Sequence, residues 1–351
     1  MRMIHEHDIE KIVKEHLGHD VQFQRKERIK ESPRSVIDRY HFSNDSSIPY
    51  SIICKSYQEQ TQEAVVYAYF HAHHLFNDVI LYAGSEQNQA FILLHDLSQT
   101  HQNISSWNPP VAQAQLEWII HQIAWFHSRN WRNYADLVQL LGLPWHLQSM
   151  CQYRQYLDHL RRDALEFKHH APFPMTQEHF ACYDHALDYL HDHASFLFEH
   201  LHENSLFTFI HGDLNVCNLY YPLDQQGDIV MLDYEALRVG LFTDDFVMLF
   251  IHDLYHGVAV TQQVYRIFYH QLPDDIRTSL TPELFAYSLR TSLSDGLFFP
   301  MKLFTHFGVN DRELVMKSLD AYEHLVYSQN VGISEYSISC RASTGSARDV
   351  L

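Results

Sequence analysis

"FTFIHGDLNVCNLYYPLDQQGDIVMLDYEAL", residues 207–237, places His211, Asp213, Asn218 and Asp233 around one short apolar hairpin. "LYYP" and "DIVML" read as two short strands on either side of an "LDQQGD" turn. In an antiparallel pair the start of one strand lies beside the end of the other. Asn218 just precedes the first strand and Asp233 just follows the second, so pairing brings them together although they are fifteen positions apart. An Asn carbonyl and an Asp carboxylate are hard oxygen ligands, and one or two of these with substrate phosphates is the usual way to hold Mg²⁺. Asp213 lies on the loop leading to Asn218, behind Gly212, which permits a tight approach. A carboxylate there is placed to orient a hydroxyl and accept its proton. This is phosphoryl-transfer logic, in which positioning and charge neutralisation supply most of the catalysis. The metal is required by the electrostatics. A bare carboxylate is repelled by a phosphate by about 4 kcal/mol per charge pair at 4 Å and an effective dielectric of 20.

Composition narrows the partners. The 351 residues suggest two lobes, and an apolar fraction of 46% is enough for a sizeable core. No run of about 18 apolar residues occurs, so no membrane span is expected. The charged start "MRMIHEHDIEKIVKEHL" has no apolar signal core, and a cytoplasmic location is the expectation. Cys54, Cys151, Cys182, Cys217 and Cys340 are scattered, without a C-x-x-C, and read as reduced thiols. A formal net charge of −18 opposes phosphate backbones, so no nucleic-acid partner is expected, and a cationic small molecule is favoured. Solubility alone would explain the same charge. The 28 histidines include "HAHH" at 71–74 but no H-E-x-x-H, and they do not read as a metal cluster.

Along the chain, Ile9, Ile12, Val13 and Leu17 fit one face of a first helix. Strands follow in "RSVIDRYHF", where Val36, Tyr40 and Phe42 partly alternate, and in "IPYSIICKS", where Ile48, Tyr50, Ile52 and Cys54 alternate throughout. "ESP" at 31–33 reads as a turn between strands. "EQTQEAVVYAYFHAHHLF" reads as a helix with Val65, Tyr69, Ala72 and Phe76 near one stripe, and "VILYAG" and "QAFILLHDL" as two more strands. From 111 the pattern is helical, starting with Leu116, Ile119, Ile120, Ile123, Ala124 and His127. Further helical stretches run near 145–168, 176–203, 259–272, 282–299 and 311–328. The expected organisation is an N-terminal lobe over 1–97, a polar linker over 98–110 ending in two prolines, a helical lobe over 111–328, and a small-residue, polar tail over 329–351 that reads as disordered or foreign to the fold.

"HGDLNVCN" followed by "MLDYE" resembles the H-G-D-x-x-x-x-N … D pattern of the aminoglycoside phosphotransferase family, which is similar to protein kinases and choline kinases. The resemblance implies an α+β, bilobal, protein-kinase-like fold with a small antiparallel-sheet lobe and a large helical one. It implies Asp213 as catalytic base, Asn218 and Asp233 as magnesium ligands, and His211 as a brace of the loop. A kinase-like small lobe needs a strand lysine for the nucleotide phosphates and a helix glutamate to hold it. Lys55 and Glu63 match by position, with Glu59 a weaker competitor for the helix role. "FILLHDLS" resembles the hinge, where backbone groups of Leu94, His95, Asp96 and Leu97 would bond adenine. "GLFTDDFVMLF" resembles the segment in which Asp245, or Asp244, would accept bonds from the catalytic-loop backbone; a helix N-cap at Thr243 or an Asp is the competing reading. "QIAWFHSRNW" resembles a family helix ending in a His and Trp pattern and reads as packing.

The sequence departs from that pattern in its lid. Gly18 is the only glycine before residue 84, so a glycine-rich phosphate lid is missing. The "IKESPR" turn would have to do its work, with Ser32 and nearby backbone N–H groups as candidates. This leaves ATP and GTP both open as donors. The resulting expectation is a Mg²⁺-dependent small-molecule kinase with a cationic hydroxyl substrate, aminoglycoside-like or another amino-bearing compound. Glu235, Asp253 and Asp295 are the acidic candidates for that substrate, though each also fits a solvated helix face. A choline- or amino-alcohol-directed kinase of the same fold and a non-catalytic nucleotide-binding scaffold are the alternatives.

Overall fold

The computed structural model describes residues 6–17, 21–44, 49–73, 79–86, 89–104, 113–129, 131, 138–139, 141–142, 149–202, 206–224, 229–253 and 266–327. The expected tail, 329–351, lies outside them. Two compact units emerge. One comprises Met1–Asn108, Ala135–Pro144 and His211–Arg238, and the other Pro109–Tyr134, Trp145–Ile210 and Val239–Leu351.

The first unit is built on an antiparallel sheet. After helix α1 (Glu6–Leu17) come β1 (Val21–Glu31), β2 (Ser35–Asn44) and β3 (Pro49–Tyr57), helix α2 (Gln62–Ala72), then β4 (Ile80–Glu86) and β5 (Gln89–His95). The sheet order is β1-β2-β3-β5-β4. β1 is an edge strand, mostly exposed, and its charged "RKERIKE" discourages further pairing. β5 pairs with strands on both sides, and its five central residues are buried. Ile9 and Val13 of α1 pack with Tyr40, Phe42, Ile52, Cys54, Phe91 and Leu93 in one core. Ile52 and Cys54 share a face because side chains alternate along a strand, so Lys55 must point from the opposite face. Asp38 interrupts the β2 alternation in sequence but is itself buried among these apolar residues. It bonds Arg28 and lies 2.9 Å from Lys26 Nζ, so two cations on the edge strand compensate the buried charge.

The stripe expected on α2 is displaced. The buried residues of the described helix are Glu63, Ala64, Val66, Tyr67 and Phe70, whereas Val65 and Tyr69 are only partly covered and Phe76 lies outside the described residues. Glu63 belongs to the inward face, and a pattern drawn through apolar residues alone rotates the helix away from it. Thr61 caps α2 by accepting a hydrogen bond from Ala64 N–H.

The quoted segment completes this unit. β8 (Leu219–Pro222) pairs with β9 (Val230–Met231) in the register Leu219↔Met231, as expected, and β6 (His101–Asn103) adds a third strand on the other side of β8. β6 is drawn from the segment read as linker.

The second unit is helical. α3 (Gln113–Arg129) buries Leu116, Ile119, Ile120, Ile123, Ala124 and His127, the stripe read from its sequence. α4 (Met150–His170) packs on α5 (Gln177–Asp192), and a two-stranded ladder joins β7 (Phe207–Ile210) to β10 (Arg238–Leu241). α6 (Thr243–Phe246) packs under α7 (Pro282–Gly296), followed by α8 (Phe299–Phe307) and α9 (Arg312–Tyr322). Phe242, Phe246, Leu249, Phe298 and Met301 fill its core. The chain is thus α+β, with an antiparallel-sheet N-terminal part and a helical C-terminal part.

Leu93 is 0% exposed at the centre of β5, whereas Ile29 on β1 is 46% exposed. Leu93→Ala is expected to cost about 2–5 kcal/mol of unfolding free energy and Ile29→Ala under about 0.5 kcal/mol. Denaturant melts of both variants check the placement of the core.

Candidate active site

Lys55 projects from β3 onto α2. Its Nζ lies 2.9 and 2.8 Å from the two carboxylate oxygens of Glu63 and 2.8 Å from Asp233 Oδ1. Glu63, 1% exposed, also accepts a hydrogen bond from Tyr57 OH. Burial pushes the Glu63 carboxyl up to about 7, and the charge of Asp233 adds to this against the pull of Lys55. Burial works against the Lys55 ammonium, but its two carboxylate partners outweigh that and raise its pKa. For Asp233 burial acts upward, and Lys55 reverses it, so the net shift is down and the group holds its charge. Glu59 lies on the rim of a neighbouring cavity, and no bond of it to Lys55 occurs.

Asp233 is the only non-glycine residue with positive φ among the described residues, at φ 69° and ψ 62°. The left-handed region costs most L-residues about 1–2 kcal/mol, and Asp is among the few that enter it. The strained residue is held at both ends: its N–H donates to Tyr67 OH at 3.1 Å and its carboxylate meets Lys55.

Asp213 sits on the tight loop before β8. Asn215 Nδ2 donates to Asp213 Oδ1 at 3.0 Å, and Asn218 Nδ2 donates to the Asp213 backbone carbonyl at 2.9 Å. Burial raises the Asp213 pKa, with the charge of Asp233 contributing, while Asn215, His211 and Asn218 act downward. That interaction puts the two aspartates within electrostatic reach of each other. The Asn218 amide nitrogen is committed to Asp213, and its side-chain oxygen Oδ1 carries no hydrogen bond among the described residues. The backbone bond from Leu232 N–H to Asn218 O, 2.9 Å, ties Asn218 to the residue before Asp233. His211 Nε2 donates to Leu232 O at 2.9 Å and fixes the loop to the end of β9.

Gly212 makes this approach possible. Its φ is +79°, and a Cβ there would collide with the Ala236 carbonyl and the Arg238 guanidinium. Arg238 Nη1 donates to Gly212 O at 3.2 Å, drawing the loop against the segment that follows Asp233.

The remaining residues expected here fall in several places. Asp96 accepts bonds from Arg39 Nε and Ser51 Oγ, each at 2.7 Å, and from Ser98 N–H at 3.0 Å, so its carboxylate serves the fold. In the hinge backbone, His95 N–H donates to Val79 O at 2.9 Å and Asp96 N–H to Ser51 O at 3.3 Å. These two N–H groups of the expected Leu94–Leu97 segment are thus engaged within the sheet. The His95 ring meets Tyr50 OH at 2.9 Å. Ser32 spends its hydroxyl inside its own turn. Glu235, half-exposed, pairs with Arg34 at 3.0 Å. In the second unit Asp245 is fully buried with Oδ2 2.9 Å from His127 Nε2. The N-cap alternative is not realised there: the cap position is Phe242, without a side-chain cap bond. Asp244 accepts a bond from Ser292. Asp295 accepts one from Tyr156, and the side chain of Asp253 lies outside the described residues. Sequence reading passed over Tyr57, Tyr67, Asn215 and Arg34. Of these Asn215 carried a signal, lying inside the motif between Asp213 and Asn218, and Arg34 ends the "IKESPR" turn already singled out.

No family model matches the chain, and no curated protein matches it in sequence. Solved structures do match. An ethanolamine kinase of Plasmodium vivax superposes with a TM-score of 0.50 at 13% identity, covering 87% of this chain and 82% of that one. A Ralstonia eutropha protein assigned as an aminoglycoside phosphotransferase gives a TM-score of 0.50 at 14% identity, covering 95% of this chain and 98% of that one. The chain has the protein-kinase-like α+β fold of these structures.

Gly212 and Gly308 both have left-handed φ, +79° and +68°, but only Gly212 faces a backbone collision. Gly308→Ala is expected to cost about 1–2 kcal/mol, and Gly212→Ala clearly more, with loss of any nucleotide binding by the loop. Paired melts read the difference. Asp96 gives a pH signature. Burial acts upward on its carboxyl, but the bonds from Ser51 and Ser98 and the Arg39 charge win and depress it below the usual value. Its stabilisation is therefore complete above the unfolded pKa of about 3.9 and lost as pH falls through the lower folded value. Asp96→Asn should cost about 1–3 kcal/mol at pH 7 and converge on wild type in acid.

Proposed function

We propose that this protein is a kinase that transfers the γ-phosphoryl group of ATP, or of GTP, to a hydroxyl of a small amine-bearing molecule. The observation that carries the reading is the convergence on Lys55 of Glu63 from α2 and Asp233 from the end of β9, with Asp213 on the adjoining loop. Lys55, kept cationic by its carboxylates, is the group for nucleotide phosphates, and Glu63 fixes its position. Asn218 and Asp233 would hold Mg²⁺. The donor set fits a hard cation, because Asn218 Oδ1 is unengaged among the described residues and Lys55 holds the Asp233 carboxyl in its charged form. Bound there, the ion would neutralise charge developing on the phosphate oxygens.

Asp213 is the general base of the reading. Two asparagines fix its carboxylate and backbone, and burial raises its proton affinity, which suits a group that accepts a proton from an alcohol. For the acceptor, ethanolamine and aminoglycosides share a hydroxyl with an amine nearby. An acidic chain of net charge −18 favours such a cation over an anionic acceptor.

A coupled assay with Mg²⁺ and ATP or GTP across amino alcohols, aminoglycosides and neutral sugars tests the proposal. Turnover with at least one amine-bearing alcohol is expected. Asp213→Asn should lower kcat about 10²- to 10⁴-fold while nucleotide still binds, and Asp233→Ala should abolish Mg²⁺-dependent turnover. Nucleotide binding without turnover of any hydroxyl compound would instead indicate a scaffold, and wild-type rates in Asp233→Ala would refute the ligand assignment.

A further inference from the structure

A glycine-rich lid covers the phosphates of a nucleotide, and successive backbone N–H groups are what make such a turn an anion site. In this chain the equivalent turn, between β1 and β2, has none to give. Ser32 N–H donates to Ser35 O at 2.9 Å. Arg34 N–H and Ser35 N–H donate to Ser32 Oγ at 3.3 and 3.0 Å. Pro33 has no N–H. The Ser32 hydroxyl in turn donates to Ser35 O at 3.1 Å. The turn is closed on itself, and the expectation that Ser32 and its neighbouring N–H groups cover phosphates requires breaking those bonds.

The turn instead presents a side chain. Arg34 is 74% exposed, and its Nη1 lies 3.0 Å from Glu235 Oε1, on a side chain 54% exposed. Glu235 is two residues beyond Asp233, and carboxylate oxygens of Glu63, Asp233 and Glu235 lie within 4.8 Å of one another. Arg34 and Glu235 also line a cavity of about 450 Å³ with Tyr57, Thr61 and Glu63. The guanidinium therefore hangs beside the Lys55 cluster, held by a solvent-exposed pair of the kind that contributes little stability. Its planar fork of donors can hold phosphate oxygens bidentately, whereas the contact with Glu235 is the single one from Nη1 to Oε1.

We propose that Arg34 is the phosphate-binding group of the β1–β2 turn and that it exchanges Glu235 for the β- and γ-phosphate oxygens when nucleotide binds. A side-chain cation thus does the work that backbone N–H groups do in a glycine-rich lid. Glu235 is the internal competitor that the nucleotide displaces. The inference rests on the kinase reading and adds to it a residue that sets affinity for the polyphosphate.

Calorimetric titration with MgATP, MgADP and AMP, alongside steady-state kinetics, tests it in the full chain. Arg34→Ala is expected to weaken MgATP binding about 10- to 100-fold, the range of a charge-assisted contact, and to raise KM for ATP more than it lowers kcat. AMP binding should not change. Arg34→Lys should recover part of the loss, since charge returns without the fork. Glu235→Gln should move the other way and tighten MgATP binding, because the competitor has gone. Equal losses for AMP and ATP, or a Glu235→Gln variant weakened like Arg34→Ala, would mean the pair only supports structure, and would overturn the inference. Unchanged binding in Arg34→Ala while the wild type binds MgATP overturns it alone. A wild type that binds no MgATP overturns the kinase reading as well.

Discussion

One ammonium group organises the first unit. Lys55 meets Glu63 and Asp233 within 2.8–2.9 Å, and so joins the sheet, α2 and the hairpin at a single point. The two carboxylates belong to segments 170 positions apart in sequence, and without the cation they would repel each other by about 4 kcal/mol at 4 Å and an effective dielectric of 20. Glu63 is buried, so its charge depends on a protein partner rather than on bulk solvent. Tyr57 and Tyr67 extend the same arrangement, one bonding Glu63 and the other the N–H of Asp233. Both tyrosines thereby fix the carboxylate of Glu63 and the backbone of Asp233 relative to Lys55.

The hairpin obeys a second constraint, set by its backbone. Gly212 and Asp233, at its two ends, are both left-handed. At Gly212 the conformation lets the loop come against Ala236 O, a place where no side chain fits. At Asp233 it turns the chain sharply off β9, so the carboxylate faces Lys55 while the N–H of Leu232 stays bonded to Asn218 O. Two adjacent residues thus answer to different partners, and the αL turn separates them. Strain in a sparsely populated backbone region persists where surrounding contacts over-determine it, and the contacts from Tyr67, Lys55 and His211 on either side of Asp233 do so here.

What could be read from the sequence follows from how local each feature is. The hairpin register and the adjacency of Asn218 to the Asp233 end were legible because both come from one antiparallel turn. The α3 stripe was legible because six inward residues repeat at helical spacing, His127 among them. The α2 face was misread for the converse reason: Glu63 lies inward with Val66, Tyr67 and Phe70, and its burial depends on a lysine from another element. Asp38 broke the β2 pattern in the same way, neutralised by cations on a strand that pairs only after folding. His127, read as packing, is buried against Asp245, a pairing across 118 positions that no periodicity announces. The missing glycines of the lid were visible in sequence. The state of each N–H in the β1–β2 turn was not, since it depends on where the Ser32 hydroxyl points.

In the kinase reading, the charges around Lys55 constrain how the site is loaded. Glu63, Asp233 and Glu235 carry three acidic groups against the two cations Lys55 and Arg34, and Asp213 adds a fourth acid on the next loop. The elevated proton affinities of Glu63 and Asp213 relieve part of this excess, but the balance stays negative when the groups are ionised. A bare polyphosphate approaching such a cluster is repelled. Accompanied by a divalent cation it brings its own compensation, and releasing Arg34 from Glu235 adds a second. In the kinase reading the acidic surplus is therefore a selector: it admits the metal–nucleotide complex in preference to the free nucleotide, and it leaves carboxylates near the reacting centre once the phosphates have claimed the cations.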